Sequence, residues 1–126
     1  MHENKFNLHY FGLNLKKEIE TELMLDVKNS INSIILKNDD FVLRIIFSDL
    51  VDLDEFRKLL EQEKKKIQIL SHLTRNNKEY KGKRKYLWKK DKIIMSQGGI
   101  RIEFDEELIE KFKSIVKFIK ESYKNI

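Results

Sequence analysis

The residues with the plainest chemical potential are the cations of Lys78–Lys92, which reads KEYKGKRKYLWKKDK. That stretch carries eight Lys/Arg against two acids, Glu79 and Asp91, a local balance of +6. Met1–Asn77 holds twelve bases and thirteen acids, and Ile93–Ile126 holds six of each, so the formal charge of +5 on this 126-residue chain is concentrated in one place. Such a field can hold a polyanion or an acidic protein surface. The interleaved rings of Tyr80, Tyr86 and Trp88 are residue types that stack on bases while lysines neutralise phosphates. No RNP, KH or helix-turn-helix signature accompanies them, so a nucleic-acid motif is missing. The candidate partner-binding residues are Tyr80, Lys81, Lys83, Arg84, Lys85, Lys89, Lys90 and Lys92.

Other groups carry less. Asp49, Asp52, Asp54 and Glu55 follow a strand-like run, where nucleases hold Mg²⁺ through carboxylates. Helix capping and the macrodipole account for the same residues. Asp39-Asp40 reads as a turn pair. His2, His9 and His72 are scattered without ligand spacing. Ser48 and Ser96 lack a nucleophile-elbow context, and Gly98-Gly99 lies between strands, where no phosphate loop is built. The absence of cysteine excludes disulfides and thiolate metal sites. No catalytic residue, metal or cofactor is therefore expected.

The elements that position these residues follow from periodicity. Phe6, Leu8 and Tyr10 alternate with Asn7 and His9, the period of a half-buried strand, with Gly12 a candidate bulge. Lys16–Lys37 supports two readings. Leu15, Ile19, Leu23, Val27, Ile31 and Ile34 are three or four apart, as in one long helix starting after Asn14. Leu23, Leu25 and Val27 also alternate, as in a strand followed by a short helix from Asn29. Asn38-Asp39-Asp40 is a turn, and Phe41–Phe47 reads as a central strand covered at least partly on both sides. Caps among Ser48, Asp49, Asp52 and Asp54 lead into Phe56, Leu59, Leu60, Ile67 and Leu70 at helical spacing. Ile67–Leu73 could instead be a strand.

Gly98-Gly99 between two alternating runs predicts a tight hairpin turn. With a second turn at Lys90-Asp91, Tyr86, Trp88, Ile93, Met95, Ile102 and Phe104 share one face of a three-stranded meander. Lys83, Lys85, Leu87, Ile94, Ser96 and Arg101 share the other. The register thus turns Tyr86 and Trp88 inward against a closing helix, Glu106–Tyr123, capped by Asp105. Its stripe is Leu108, Phe112, Ile115, Val116, Ile119 and Tyr123. The expected class is α+β: an antiparallel sheet including the C-terminal three-stranded meander, with two or three helices packed on one face.

The length fits one domain over residues 1–126. MHENKFNLHY lacks the charged and apolar regions of a signal peptide, and no apolar run reaches membrane-spanning length, so a cytoplasmic protein is expected. The functional expectation is a small non-enzymatic binding protein. In one reading it is an inhibitor or immunity-type partner that uses the basic hairpin face on an acidic protein surface. In the other it grips a nucleic-acid backbone, alone or within a nucleoprotein complex, with the same lysines.

Overall fold

A computed structural model describes residues 4–13 and 15–124. Its order is β1 (Lys5–Gly12), β2 (Leu15–Lys28), β3 (Ile31–Lys37), β4 (Val42–Phe47), α1 (Leu50–Leu60), β5 (Lys66–Arg75), β6 (Lys78–Lys89), β7 (Lys92–Gln97), β8 (Ile100–Phe104) and α2 (Glu106–Lys124). The eight strands pair in sequence order, all antiparallel, and β1 closes on β8. The architecture is therefore a closed up-and-down barrel. It is not a sheet with helices layered on one face.

Two segments whose periodicity left helix and strand both open explain that correction. Lys16–Lys37 is a hairpin, β2 and β3, joined at Asn29-Ser30, whose φ angles of 54° and 65° make a tight turn without glycine. Asn14, after which the one-helix reading starts, lies outside the described residues. Ile67–Leu73 belongs to strand β5, with Ile67, Ile69, Ser71 and Leu73 turned inward. Gly12 carries no bulge: it pairs with Leu15 and Ile100 in continuous register. With β2, β3 and β5 added, eight strands each have an apolar face to bury, and closure leaves no strand outside the ring.

Because direction alternates, the connections after β2, β4, β6 and β8 all lie at one end of the barrel. Both helices are there. Phe56 of α1 packs 5.3 Å from Phe47 and 5.6 Å from Phe112 of α2, between ring centroids, and Phe112 lies 5.2 Å from Phe104. The helices thus stopper an apolar interior instead of covering an outer face. That interior is filled by side chains, among them Leu8, Ile34, Leu36, Leu43, Ile45, Tyr86 and Ile102.

The C-terminal half follows the sequence reading. Met95 pairs with Ile102, Ile93 with Phe104, Trp88 with Ile93 and Tyr86 with Met95. Gly98 and Gly99 have φ of 61° and 81°, as a two-residue turn requires. Asp105 Oδ1 accepts from Leu108 N at 3.0 Å at the start of α2, and Asp49 Oδ1 accepts from Asp52 N at 2.9 Å at the start of α1.

Candidate functional site

Alternation along β6 divides the basic segment between the two sides of the barrel wall. Lys81, Lys83, Lys85, Leu87 and Lys89 face outward, and Tyr80, Gly82, Arg84, Tyr86 and Trp88 share the inward register. Alternate residues on a strand stand about 7 Å apart, so the lysines form a ridge on the outer wall. Leu87 is directly opposite Ile94 on β7 and Lys66 on β5. A partly buried apolar pair therefore sits on the outer surface, with Lys66, Lys85, Lys89 and Lys92 around it. Among the described residues, Lys66, Lys83, Lys85 and Lys89 have no ion-pair partner. Lys81 lies 3.6 Å from Glu79 and Lys92 lies 3.4 Å from Glu103. Lys90 occupies the β6–β7 turn with φ 59°.

The rings lie elsewhere. Tyr86 is fully buried, its hydroxyl 2.6 Å from Ser71 Oγ, and burial pushes its pKa up. Trp88 Nε1 donates to Leu59 O of α1 at 2.6 Å, so the indole serves the helical stopper. The contacts of both rings thus involve α1 as well as the C-terminal elements: Tyr86 lies 6.4 Å from Phe56 and 5.9 Å from Phe104. Tyr80 packs on the β7–β8 turn, so close that a Cβ on Gly98 would meet its ring at 2.8 Å. Arg84 folds back, its Nη1 donating to Lys83 O at 3.2 Å. The structure therefore brings together Lys81, Lys83, Lys85, Lys89 and Lys92 on the outer wall and separates Tyr80 and Arg84 from them.

The acidic candidates are consumed locally. Asp49 is the α1 cap, and Asp52 Oδ2 accepts from Ser48 N at 3.2 Å. Asp54 is held by Arg57 at 2.8 Å, and the Arg57 hydrogen bond lowers its pKa. Glu55 pairs with Lys64 at 2.7 Å. Asp40 accepts a hydrogen bond from Tyr10, whose pKa rises to about 12, mainly through burial and next through that bond. His9 and His72 lie 3.8 and 3.7 Å from Glu18 and Glu79 respectively, and His2 lies outside the described residues. Among the described residues no cluster of His, Asp and Glu could hold a metal ion.

Two parts of the surface escaped the sequence reading. On β5, Lys66, Gln68, Leu70 and His72 lie on the outer wall directly opposite Leu87, Lys85, Lys83 and Lys81, and the period-2 run Ile67–Leu73 was the signal for them. Phe11, on the outer wall at the opposite end from the helices, carries the Arg101 guanidinium 4.5 Å from its ring centroid. No helix among the described residues is long and apolar enough to cross a membrane. No family model matches this chain, and no curated protein or solved structure matches it.

Proposed function

We propose that the chain is a non-enzymatic binding protein, an inhibitor or immunity-type partner, that docks the outer face of β5–β7 on an acidic protein surface. The observation that carries this reading is the Leu87–Ile94 pair standing on the outer wall beside Lys66, Lys85 and Lys89, which have no ion-pair partner among the described residues. A desolvated apolar centre with a charged rim is the anatomy of a protein interface. The ridge lysines speed encounter with an acidic partner and reject basic ones. A single-stranded nucleic acid would want exposed rings beside the lysines, and Tyr80, Tyr86 and Trp88 all have inward contacts. That favours protein over nucleic acid as the target.

The test is capture from source lysate with the wild type and with Leu87→Asp/Ile94→Asp, each with and without nuclease. A stoichiometric protein that survives nuclease and is lost with the double variant supports the reading. Captured material that disappears on nuclease treatment but persists with the double variant overturns it in favour of phosphate binding.

A further inference from the structure

The seam between β6 and β7 is short. β6 pairs with β5 from Lys78 to Leu87, all but its last two residues, but pairs with β7 only from Lys89↔Lys92 to Tyr86↔Met95. Trp88 N donates to Lys65 O at 2.9 Å, continuing the β5–β6 register by one residue. In an antiparallel ladder the direction of the backbone groups alternates, so even-numbered residues of β6 turn their N–H and C=O toward β5. Odd-numbered residues turn theirs toward β7, as Leu87 and Lys89 do in pairing with Ile94 and Lys92. Beyond Tyr86, β7 soon reaches its turn, and among the described residues no strand is registered against Glu79, Lys81 or Lys83 on that side. Two carbonyls of this stretch are met by side chains, Lys83 O by Arg84 Nη1 at 3.2 Å and Tyr80 O by Gln97 Nε2 at 2.9 Å, and the backbone N–H groups of Glu79, Lys81 and Lys83 are left without a strand partner on that side.

We infer that this edge of β6 is a docking strand, and that its occupant is an extended acidic segment of a partner protein added as a further antiparallel strand. The inference rests on the protein-partner reading above and specifies how the partner is held. Glu79–Lys83 spans about 17 Å, enough for a short strand. Main-chain bonds supply affinity in this mode, and alternate side chains supply specificity. The residues exchanging backbone bonds with Lys81 and Lys83 lie directly opposite them on the outer wall, so acids there meet the two ammonium groups. Lysines guard sheet edges against unwanted pairing. Here they forbid β6 of a second copy and permit a strand of opposite charge.

The probe is a capped Glu-Val alternating decapeptide in three forms: unmethylated, N-methylated on the Glu residues, and N-methylated on the Val residues. The methylated forms have equal charge and composition. In the docked register only the Glu amides face β6, because the Glu residues lie opposite Lys81 and Lys83. The Val-methylated peptide should bind within about threefold of the unmethylated one, and the Glu-methylated peptide at least tenfold more weakly. On the protein, Lys83→Pro should fold, because the N–H it removes faces the unpaired edge. It should bind the unmethylated peptide at least tenfold more weakly than Lys83→Gln, which loses the charge alone. Equal binding of the two methylated peptides overturns the docking strand. If Lys83→Gln still weakens that equal binding, the acidic-partner reading stands without it. Failure of the unmethylated peptide to bind at millimolar concentration overturns the docking strand and leaves the partner reading to the lysate capture.

Discussion

Trp88 Nε1 donates to the backbone carbonyl of Leu59 at 2.6 Å, and that bond fastens the basic strand to the helical stopper. Trp88 belongs to β6, whose outer face carries Lys85, Leu87 and Lys89, and Leu59 lies in the last turn of α1. The α1 end is thus anchored to the strand whose other face meets the proposed partner. Trp88→Phe should cost about 1–2 kcal/mol, since the ring is mostly retained and one hydrogen bond to a partly buried carbonyl is lost. Lys89→Ala, one residue away on the outer wall, should stay within about ±0.5 kcal/mol. Equal urea midpoints for the two variants would show that the indole bond adds nothing.

Phe112 is fully buried between Phe56 and Phe104, in the middle of the stopper. Phe112→Ala should cost roughly 3–5 kcal/mol, because the vacated volume lies between a helix and the barrel end and cannot easily collapse. Lys113→Ala breaks only an exposed pair with Glu110 at 3.0 Å and should change stability by about 0.5 kcal/mol or less. Denaturant melts of the pair check the assignment of the α2 faces.

How far the fold was legible depended on which spacing a segment happened to use. Leu15, Ile19, Leu23, Val27 and Ile31 are four apart, and four is both about one helical turn and an even number of strand residues. Such positions share a face in either structure. The discriminating residues are those two apart. Thr21 and Leu25 join Ile19, Leu23 and Val27 on the inner register of β2, and a threonine among them masks the alternation. In the C-terminal third, adjacent glycines fixed the turn, so the pairing of Met95 with Ile102 could be read directly. Barrel closure was not readable, because pairing β1 with β8 requires knowing that β2, β3 and β5 exist. The lysine ridge was legible in charge and facing. Its free edge was not, because that depends on where β7 stops relative to β6.

Gly98 and Gly99 share a turn but not a neighbourhood. A Cβ at Gly98 would come within 2.9 Å of two Tyr80 ring carbons, whereas the nearest atom at Gly99 is an Arg75 guanidinium nitrogen at 3.6 Å. Both have positive φ, which costs an L residue roughly 1–2 kcal/mol. Gly99→Ala should cost about that much, and Gly98→Ala about 1–3 kcal/mol more from the forced movement of the Tyr80 ring. Comparing their thermal midpoints tests the seating of Tyr80 on the turn. Equal losses would place that ring elsewhere.

Tyr10 gives the barrel a response to alkali. Its hydroxyl is buried against Asp40, and its pKa stands at about 12 instead of 10. The folded state therefore holds this proton when the unfolded chain has released it. The stabilisation is complete below pH 10 and is lost as pH climbs from 10 to 12, by up to about 2–3 kcal/mol. Tyr86, also raised by burial, adds to the loss in the same direction. Tyr10→Phe should begin less stable at pH 8 and then decline less steeply between pH 10 and 12. Parallel curves for the two proteins would exclude Tyr10 as the titrating group.

The ridge lysines should matter to encounter far more than to folding. Lys81, Lys83, Lys85 and Lys89 face water on one strand, and their heads repel one another across about 7 Å from Lys81 to Lys83 to Lys85 and about 14 Å from Lys85 to Lys89. Replacing all four with Gln, and leaving Arg84 on Lys83 O, removes that repulsion and the exposed Lys81–Glu79 pair, worth little on a solvated surface, and no core packing. Stability at low salt should be unchanged or rise by a few tenths of a kcal/mol. Association with the protein captured from lysate should slow at least tenfold at low ionic strength, while dissociation changes less, because rim charges act chiefly on the encounter. Adding salt should slow the wild type toward the variant as the field is screened beyond about 10 Å at 0.1 M. Stopped-flow or surface-binding kinetics over a salt series separate the outcomes. Identical association rates and salt slopes for the two proteins would reduce the ridge to a solvated strand. A slope that changes by nearly one unit per lysine removed would mark phosphate neutralisation in place of a protein partner.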